Sequence, residues 1–205
     1  MYKVKLLPLE DGEVLLWENF FDQQESRNFF TKLLNEIDWQ QRQIKIFGRL
    51  VEQPRLVAWY GEASYTYSGT TFDPLSWTET LLEIKARIEA VAGVNFNTVL
   101  CNLYRNGQDS MGLHSDNEPE LKEVIASVSF GATRRFIFKH KKKKLSYEIE
   151  LTSGSLLLMQ GTTQHHWKHG LPKTQKPLSE RINLTYRIVE KKFWQETATL
   201  HNLSD

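Results

Sequence analysis

The hydrophobic pattern changes period about midway along the chain. Before residue 93 the apolar positions fall at helical spacing. Phe29, Phe30, Leu33, Leu34 and Ile37 recur every three or four residues and so share one helix face. Asp22 with Glu25 three residues on is a capping-box pair, which starts the first helix near Asp22. A second helix is predicted over residues 74–91, with Leu81, Ile84, Ile88 and Val91 as its apolar stripe and Gly93 as its C-terminal cap. After Gly93 the period becomes two. "NFNTVLCNLYRNG" reads as a strand ending in an Asn106-Gly107 turn, followed by "VIASVSF", "RRFIFKH", "LSYEIEL", "SLLLMQ" and "RINLTYRIV". Short strands at this spacing argue for a sandwich or barrel. Helices first and strands second predict an α+β fold: a double-stranded β-helix (jelly-roll) core with N-terminal buttressing helices. The expected layout is one domain over 1–205, with a helical part at 1–94, the jelly-roll core at 95–190 and a tail at 191–205.

Composition narrows the setting. A chain of 205 residues with 40% apolar and 25% charged positions can bury a core of its own without a disulfide framework. Net charge is +1, so no global basic excess announces nucleic acid. The charge is uneven, however. "KHKKKK" at 139–144 follows Arg134 and Arg135, and reads either as a solvated hairpin loop or as a phosphate-contacting one. Cys101 is the single cysteine, which excludes an internal disulfide and fits a reducing compartment. The N-terminal stretch lacks a signal-peptide core, and no run approaches the ~20 apolar residues of a membrane span. The expectation is a monomer in the cytoplasm, or in the nucleus of a eukaryote, with no membrane partner.

Candidate chemistry lies on the polar faces of three strands. In "RINLTYRIV" one face carries Ile182, Leu184, Tyr186 and Ile188, and the other Arg181, Asn183, Thr185 and Arg187. On an open sheet that second face would be solvated; inside a jelly roll its two arginines could hold a small dianion. Asn102 and Tyr104 likewise share a face near a turn. In "GLHSDNEPEL", His114 and Asp116 stand two apart, and H-x-D with a distant histidine is the spacing of the 2-His-1-carboxylate triad that binds Fe(II) and leaves positions open. The third ligand would come from "QGTTQHHWKHGLP", which holds three of the six histidines. In an extended segment His165 and His169 share a face and His166 takes the other. Parity leaves both of the first two; the nearness of His169 to the turn into the arginine strand leans toward it.

These motifs together resemble the AlkB family of Fe(II)- and 2-oxoglutarate-dependent nucleic-acid oxidative demethylases. The resemblance runs from about Leu16 to Val189. It rests on "PRLVAWYGEASYTYSG", "LCNLYRNGQDSMGLHSDNEPEL", "ASVSFGATRRF", "GSLLLMQG" and "HWKHGLP…RINLTYR". It implies His114, Asp116 and His169 as iron ligands, the last because it immediately precedes G-L-P. It implies Asn102, Tyr104, Arg181, Thr185 and Arg187 around 2-oxoglutarate, with Asn183 nearby, and does not say which arginine takes which carboxylate. Within 1–94 it implies a nucleotide-recognition lid in "SYTYSG": Tyr67 to stack on the damaged base, Tyr65 for a polar or edge contact, and Ser68 beside them. Glu118 matches an acidic base-reading position. "IKIFGRLVEQPR" is similar to the hairpin that duplex-acting members insert, with Phe47 as the wedge and Arg55 as a phosphate or base-edge contact. Two positions depart from the family: Asn117 stands where a second acid is usual, which leaves fine base preference open, and Glu180 where a proline is common.

The implied activity is oxidative demethylation of bases such as 1-methyladenine and 3-methylcytosine in DNA, with RNA left open. It would use Fe(II), 2-oxoglutarate and O2, and release formaldehyde, succinate and CO2. Two other readings stand beside it. A 2-oxoglutarate hydroxylase of a metabolite or protein side chain would need the same iron and arginine sets but not "YTYSG" or Glu118. A non-catalytic module binding damaged nucleic acid would not need His114, Asp116 and His169.

Overall fold

The structure, a computed structural model, describes residues 3–46, 49–63, 65–67 and 70–190; residues 191–205, expected as a tail, lie outside them. The N-terminal part contributes β1 (Lys5–Leu6), β2 (Glu13–Trp17), α1 (Gln23–Glu36), β3 (Gln40–Ile46), β4 (Arg49–Gly61), β5 (Tyr65–Tyr67), β6 (Thr70–Phe72) and α2 (Glu79–Ala92). The C-terminal part contributes β7 (Thr98–Tyr104), β8 (Met111–His114), β9 (Ile125–Gly131), β10 (Arg134–His140), β11 (Ser146–Leu151), β12 (Leu156–Gln160), α3 (Thr163–His166), β13 (Trp167–Leu171) and β14 (Arg181–Arg187). Among the described residues one sheet has eight strands in the order β1-β2-β12-β9-β14-β7-β4-β3, a second has four in the order β11-β10-β13-β8, and β5 pairs with β6. All the strand pairings are antiparallel.

The large sheet is buried on both faces at its centre, and alternation gives each face a different job. Outward-facing Ile182, Leu184 and Tyr186 of β14, Val99, Cys101 and Leu103 of β7, and Ala126, Val128 and Phe130 of β9 pack with Phe29 and Leu33 of α1 and with Leu81, Ile84 and Ile88 of α2. This is the larger apolar core, and each large side chain so buried contributes roughly 1.5–3 kcal/mol. A second apolar cluster draws on both sheets: Ile125, Leu157 and Met159 from the large one meet Phe136, Phe138, Trp167 and Leu171 from the small one. The polar positions of β14 and β7 point into the space that remains between the sheets.

Local chemistry explains the helix ends. Asp22 Oδ1 accepts the Glu25 N–H at 2.8 Å while Glu25 Oε2 accepts the Asp22 N–H at 2.9 Å, a complete capping box. Gly93 ends α2 in the left-handed region at φ 68°. The start of α2 differs from expectation. It begins at Glu79 after the Thr78 cap, not at Pro74. Leu75 is extended instead: its N–H bonds Trp59 O and its carbonyl accepts the Gly61 N–H, so the end of β4 claims these backbone groups.

Two further expectations are corrected. The division into a helical 1–94 and a β core at 95–190 does not hold, because β1, β2, β3 and β4 complete both edges of the large sheet. "EVLLW" hid its strand by running apolar residues together, as a strand covered on both faces does. The segment before His169 is not extended throughout. Residues 163–166 form a single helical turn, so parity cannot be counted through them, and His169 lies in the middle of β13, not at its end.

Gly154 holds the start of β12 against the lead-in to α1. Its carbonyl accepts the Phe20 and Phe21 amides, its φ is +82°, and a Cβ there would lie 2.3 Å from Phe21 O. Gly154→Ala is therefore expected to destabilise the fold by about 2–3 kcal/mol, more than the ~1 kcal/mol of an unstrained glycine site, as read from urea denaturation. A loss under that smaller figure would show that the contact relaxes freely.

Candidate active site

Register brings the sequence candidates together. β14 pairs with β7 so that Arg181 lies opposite Tyr104 and Asn183 opposite Asn102, while β13 pairs with β8 so that His169 lies opposite His114. One cavity between the sheets is lined by His114, Asp116 and His169 on one side and by Asn102, Tyr104, Arg181, Asn183, Thr185 and Arg187 on the other, with apolar Met111, Phe136 and Leu171 between them.

At one end, nitrogen and oxygen atoms of His114, Asp116 and His169 lie within 4.8 Å of one another. Each histidine Nε2 is 3.7 Å from a different oxygen of Asp116. His114 Nδ1 lies 2.9 Å from Gly112 O, so Nδ1 carries the ring proton and the Nε2 lone pair is turned to the centre. Burial first, and the neighbouring His114 second, push His169 down to about 3, which keeps it a neutral imidazole. Burial works against the charge on Asp116, but the Arg187 guanidinium, the strongest opposing influence, outweighs it and holds the carboxyl well below the usual range. Arg187 Nη2 donates to Asp116 Oδ1 at 3.0 Å. Oδ2 is buried and has no hydrogen-bond partner among the described residues. Two imidazoles, that of His169 held neutral, and an ionised carboxylate with one orphaned oxygen fit a divalent metal of the Fe(II) type.

The other end is built for an anion. Arg181 is 2% exposed, donates to Ser129 Oγ at 2.8 Å, and lies over the Tyr104 ring at 5.2 Å. Burial pulls it down to about 10, still a cation at neutral pH, and its Nε has no partner among the described residues. Asn183 donates to Ser127 Oγ and Val128 O, and Thr185 donates to Asn183 Oδ1, so this wall is cross-linked before any ligand arrives.

Arg55, expected as a phosphate or base-edge contact, is 4% exposed, and its Nε donates to Asn102 Oδ1 at 2.7 Å. A buried cation takes the one strong acceptor beside it, which leaves the Asn102 NH2 as the donor end toward the cavity. Of the expected lid residues, Tyr65 and Tyr67 fall on β5 with their side chains outside the described set and Ser68 lies outside the described residues, as does the expected wedge Phe47. Glu118 is half-buried two residues past Asp116, with Oε2 unpartnered among the described residues. Of the neighbouring histidines, His165 is exposed and meets Glu123 at 3.1 Å, while His166 stacks on His140.

Sequence reasoning missed a second gathering of ligand-type groups, Asp11, His140 and His166. Its hydrogen bonds argue against a metal there. His140 Nδ1 accepts the Lys142 and Lys143 amides at 3.1 and 2.9 Å, so its Nε2, 3.5 Å from Asp11, bears the ring proton and offers no lone pair. Lys143 ties the same turn through Glu10 and Asp11. The group is a clamp between the N-terminal turn and the lysine hairpin.

Comparison with known proteins agrees with this geometry. Residues 13–187 match the family model described as the 2OG-Fe(II) oxygenase superfamily. The chain is 41% identical over 201 residues to the alpha-ketoglutarate-dependent dioxygenase alkB homolog 3 of Bos taurus, covering 92% of this chain and 70% of that one. It is 39% identical over 184 residues to the DNA oxidative demethylase ALKBH2 of Mus musculus, covering 82% and 77%. The solved structure of OsALKBH1 superposes with a TM-score of 0.63 at 18% identity, covering 90% of this chain and all of that one, a likeness of fold. The chain belongs to the 2OG-Fe(II) oxygenase superfamily and, within it, to the AlkB family. It is an Fe(II)- and 2-oxoglutarate-dependent dioxygenase.

Because His169 is neutral when folded and takes a proton near 6.5 when unfolded, the metal-free protein should lose stability as pH falls below about 6.5. The unfolded state binds the extra proton in this window, so the sign is unambiguous, and the limiting slope for one group is about 1.4 kcal/mol per pH unit. Urea denaturation of chelator-treated protein at pH 7, 6 and 5 should show a shallower slope in His169→Gln than in the wild type. Equal slopes would mean that His169 protonates freely in the folded state.

Proposed function

We propose that this protein repairs alkylated bases by oxidative demethylation, acting on lesions such as 1-methyladenine and 3-methylcytosine in DNA and on the same lesions in RNA. One observation carries the reading: a buried His-Asp-His group faces a buried arginine strand across a single cavity. The chain that holds it is about 40% identical to relatives named for DNA oxidative demethylation and alpha-ketoglutarate-dependent dioxygenation. In this reading His114, Asp116 and His169 hold Fe(II). When bound, Fe(II) with 2-oxoglutarate and O2 supplies the oxidation that hydroxylates the N-methyl carbon, after which formaldehyde leaves, with succinate and CO2 as the other products.

The protein's own groups bind, orient and keep water out. Arg187 holds Asp116 ionised and fixes Oδ1, so that Oδ2 is the oxygen turned to the metal. Arg181 takes the far carboxylate of 2-oxoglutarate, because it is the buried guanidinium at the end away from the ligands and keeps an unpartnered Nε. Tyr104, Asn102, Asn183 and Thr185 complete that pocket, with Arg55 fixing the Asn102 amide. Tyr67 stacks on the flipped base, Tyr65 and Ser68 flank it, and the unpartnered Glu118 Oε2 accepts from its amino group. A methyl on the pairing edge already breaks the base pair, so flipping such a base costs less than flipping a normal one. Phe47 fills the gap in a duplex. Lys142 and Lys144 are exposed on the lysine hairpin and suit backbone phosphates. The protein acts as a monomer in the cytoplasm or, in a eukaryote, the nucleus. No helix of the described residues is long and apolar enough to cross a membrane.

Formaldehyde release from matched single- and double-stranded oligonucleotides tests the reading. Methylated oligonucleotide should give formaldehyde and succinate in equal amounts, and unmethylated none. Turnover with a small metabolite alone would favour the hydroxylase reading instead. Phe47→Ala should slow the duplex reaction by about five- to 150-fold, the equivalent of losing one stacking contact of ~1–3 kcal/mol, while sparing single strands. Equal loss on both would remove the wedge.

A further inference from the structure

Asp116 lies two residues past the last residue of β8, where no neighbouring strand offers its backbone a partner. Its N–H is met instead by a side chain, Gln164 Oε1, at 3.0 Å in a buried contact. The N–H can only donate, so the oxygen end of the Gln164 amide must face it. The NH2 end then rests 3.6 Å from Met159 Sδ, a weak acceptor. Gln164 is 2% exposed and sits on the one-turn helix α3. Thr163 pins that turn at its start by bonding the Gln160 carbonyl at 2.6 Å and accepting the Glu13 N–H at 2.8 Å. Lys141 pins its end: Nζ donates to Gln164 O and the backbone N–H to His166 O, both at 2.8 Å. Ser115 Oγ adds a bond to Trp167 O at 3.0 Å. The end of β8 with His114, and the loop after it with Asp116, are thus stitched to the segment that goes on to carry His169.

We propose that Gln164 is a positioning residue for the Asp116 carboxylate, and that Lys141, although it lies in the lysine run, serves this site by holding α3 and is not a phosphate contact. The inference rests on the reading of His114, Asp116 and His169 as the metal ligands. If Gln164 merely satisfied a buried amide, its loss would lower stability and leave metal affinity unchanged. As a positioning residue it sets where the carboxylate oxygen stands, and its loss loosens the metal itself.

The test uses the full chain stripped with chelator and reloaded with Mn(II) as the probe, followed by electron paramagnetic resonance, with the Co(II) visible spectrum as a second readout. Gln164→Met keeps the shape and removes the acceptor, and should weaken Mn(II) binding about tenfold and shift the Co(II) bands. Gln164→Glu restores an acceptor oxygen and should return binding to within about threefold of the wild type. Lys141→Met, a change at an exposed residue that spares the core, should weaken binding by about threefold with the melting temperature held. Wild-type affinity in both methionine variants overturns the proposal, as does a Gln164→Glu protein no better than Gln164→Met. If the wild type binds no Mn(II), or Asp116→Ala binds it equally well, the ligand reading itself falls, an outcome distinct from failure of the positioning role.

Discussion

A guanidinium taken out of water is costly unless its charge is met, and Arg187 is 4% exposed. The Asp116 carboxylate meets it across the cavity. This ion pair links the last residue of β14 in the large sheet to the loop that follows β8 in the small one. Removing Arg187 would leave the buried Asp116 carboxylate without its guanidinium, a loss of roughly 3–5 kcal/mol by the usual behaviour of such pairs. The pair also fixes the chemistry. It keeps Asp116 ionised against burial, and it occupies one carboxylate oxygen so that the other is left over. His169 stays neutral beside it because burial and the neighbouring His114 both oppose a further positive charge.

The rest of β14 extends the same logic. A strand buried on both faces normally reads as a continuous apolar run. β14 keeps every second position polar because each of those groups has work or a partner inside: Arg181 with Ser129 and Tyr104, Asn183 with Ser127 and Val128, and Thr185 with Asn183. The opposite positions pack on the two helices. The helices are therefore a condition of the site. They let the apolar face of β14 be dry, and a dry sheet makes the arginines on its other face strong anion partners.

Much of this was legible in the sequence because it is written at a spacing of two. H-x-D, the alternating "RINLTYR" and the Asn102–Tyr104 pair each name a face without any knowledge of the partner strand, and the capping box named the start of α1. What stayed hidden depends on contacts distant in the chain. "EVLLW" carries no alternation to read. The parity count through "QHHWKH" assumed an extended backbone, whereas Thr163 bonds the chain into a turn. Arg55 stands in a stretch of hairpin-like sequence, and only the pairing of β4 with β7 brings it onto Asn102. Gln164 carries no spacing signal, because only the fold of the chain brings its amide onto the Asp116 N–H, 48 residues away in sequence.

The β3–β4 hairpin joins the two halves of the proposed function. β4 runs thirteen residues, from Arg49 at the tip to Gly61 in the sheet. At its outer end Leu50 is 71% exposed and Val51 44%. An apolar tip in water is unfavourable unless it has something to cover it, and base faces are apolar enough to do so. The outer edge strand β3 begins "QQRQ", polar enough to discourage another strand from adding there. Further along the same β4 strand, Arg55 fixes the amide of Asn102, which lines the cavity. Between the tip and Arg55 the β3–β4 ladder shifts register, from the Gln43–Glu52 pair to the Gln41–Leu56 pair, and Arg55 stands in that irregular stretch. In the proposed function, the tip that would touch nucleic acid and the arginine that would fix a wall of the 2-oxoglutarate pocket lie on one strand.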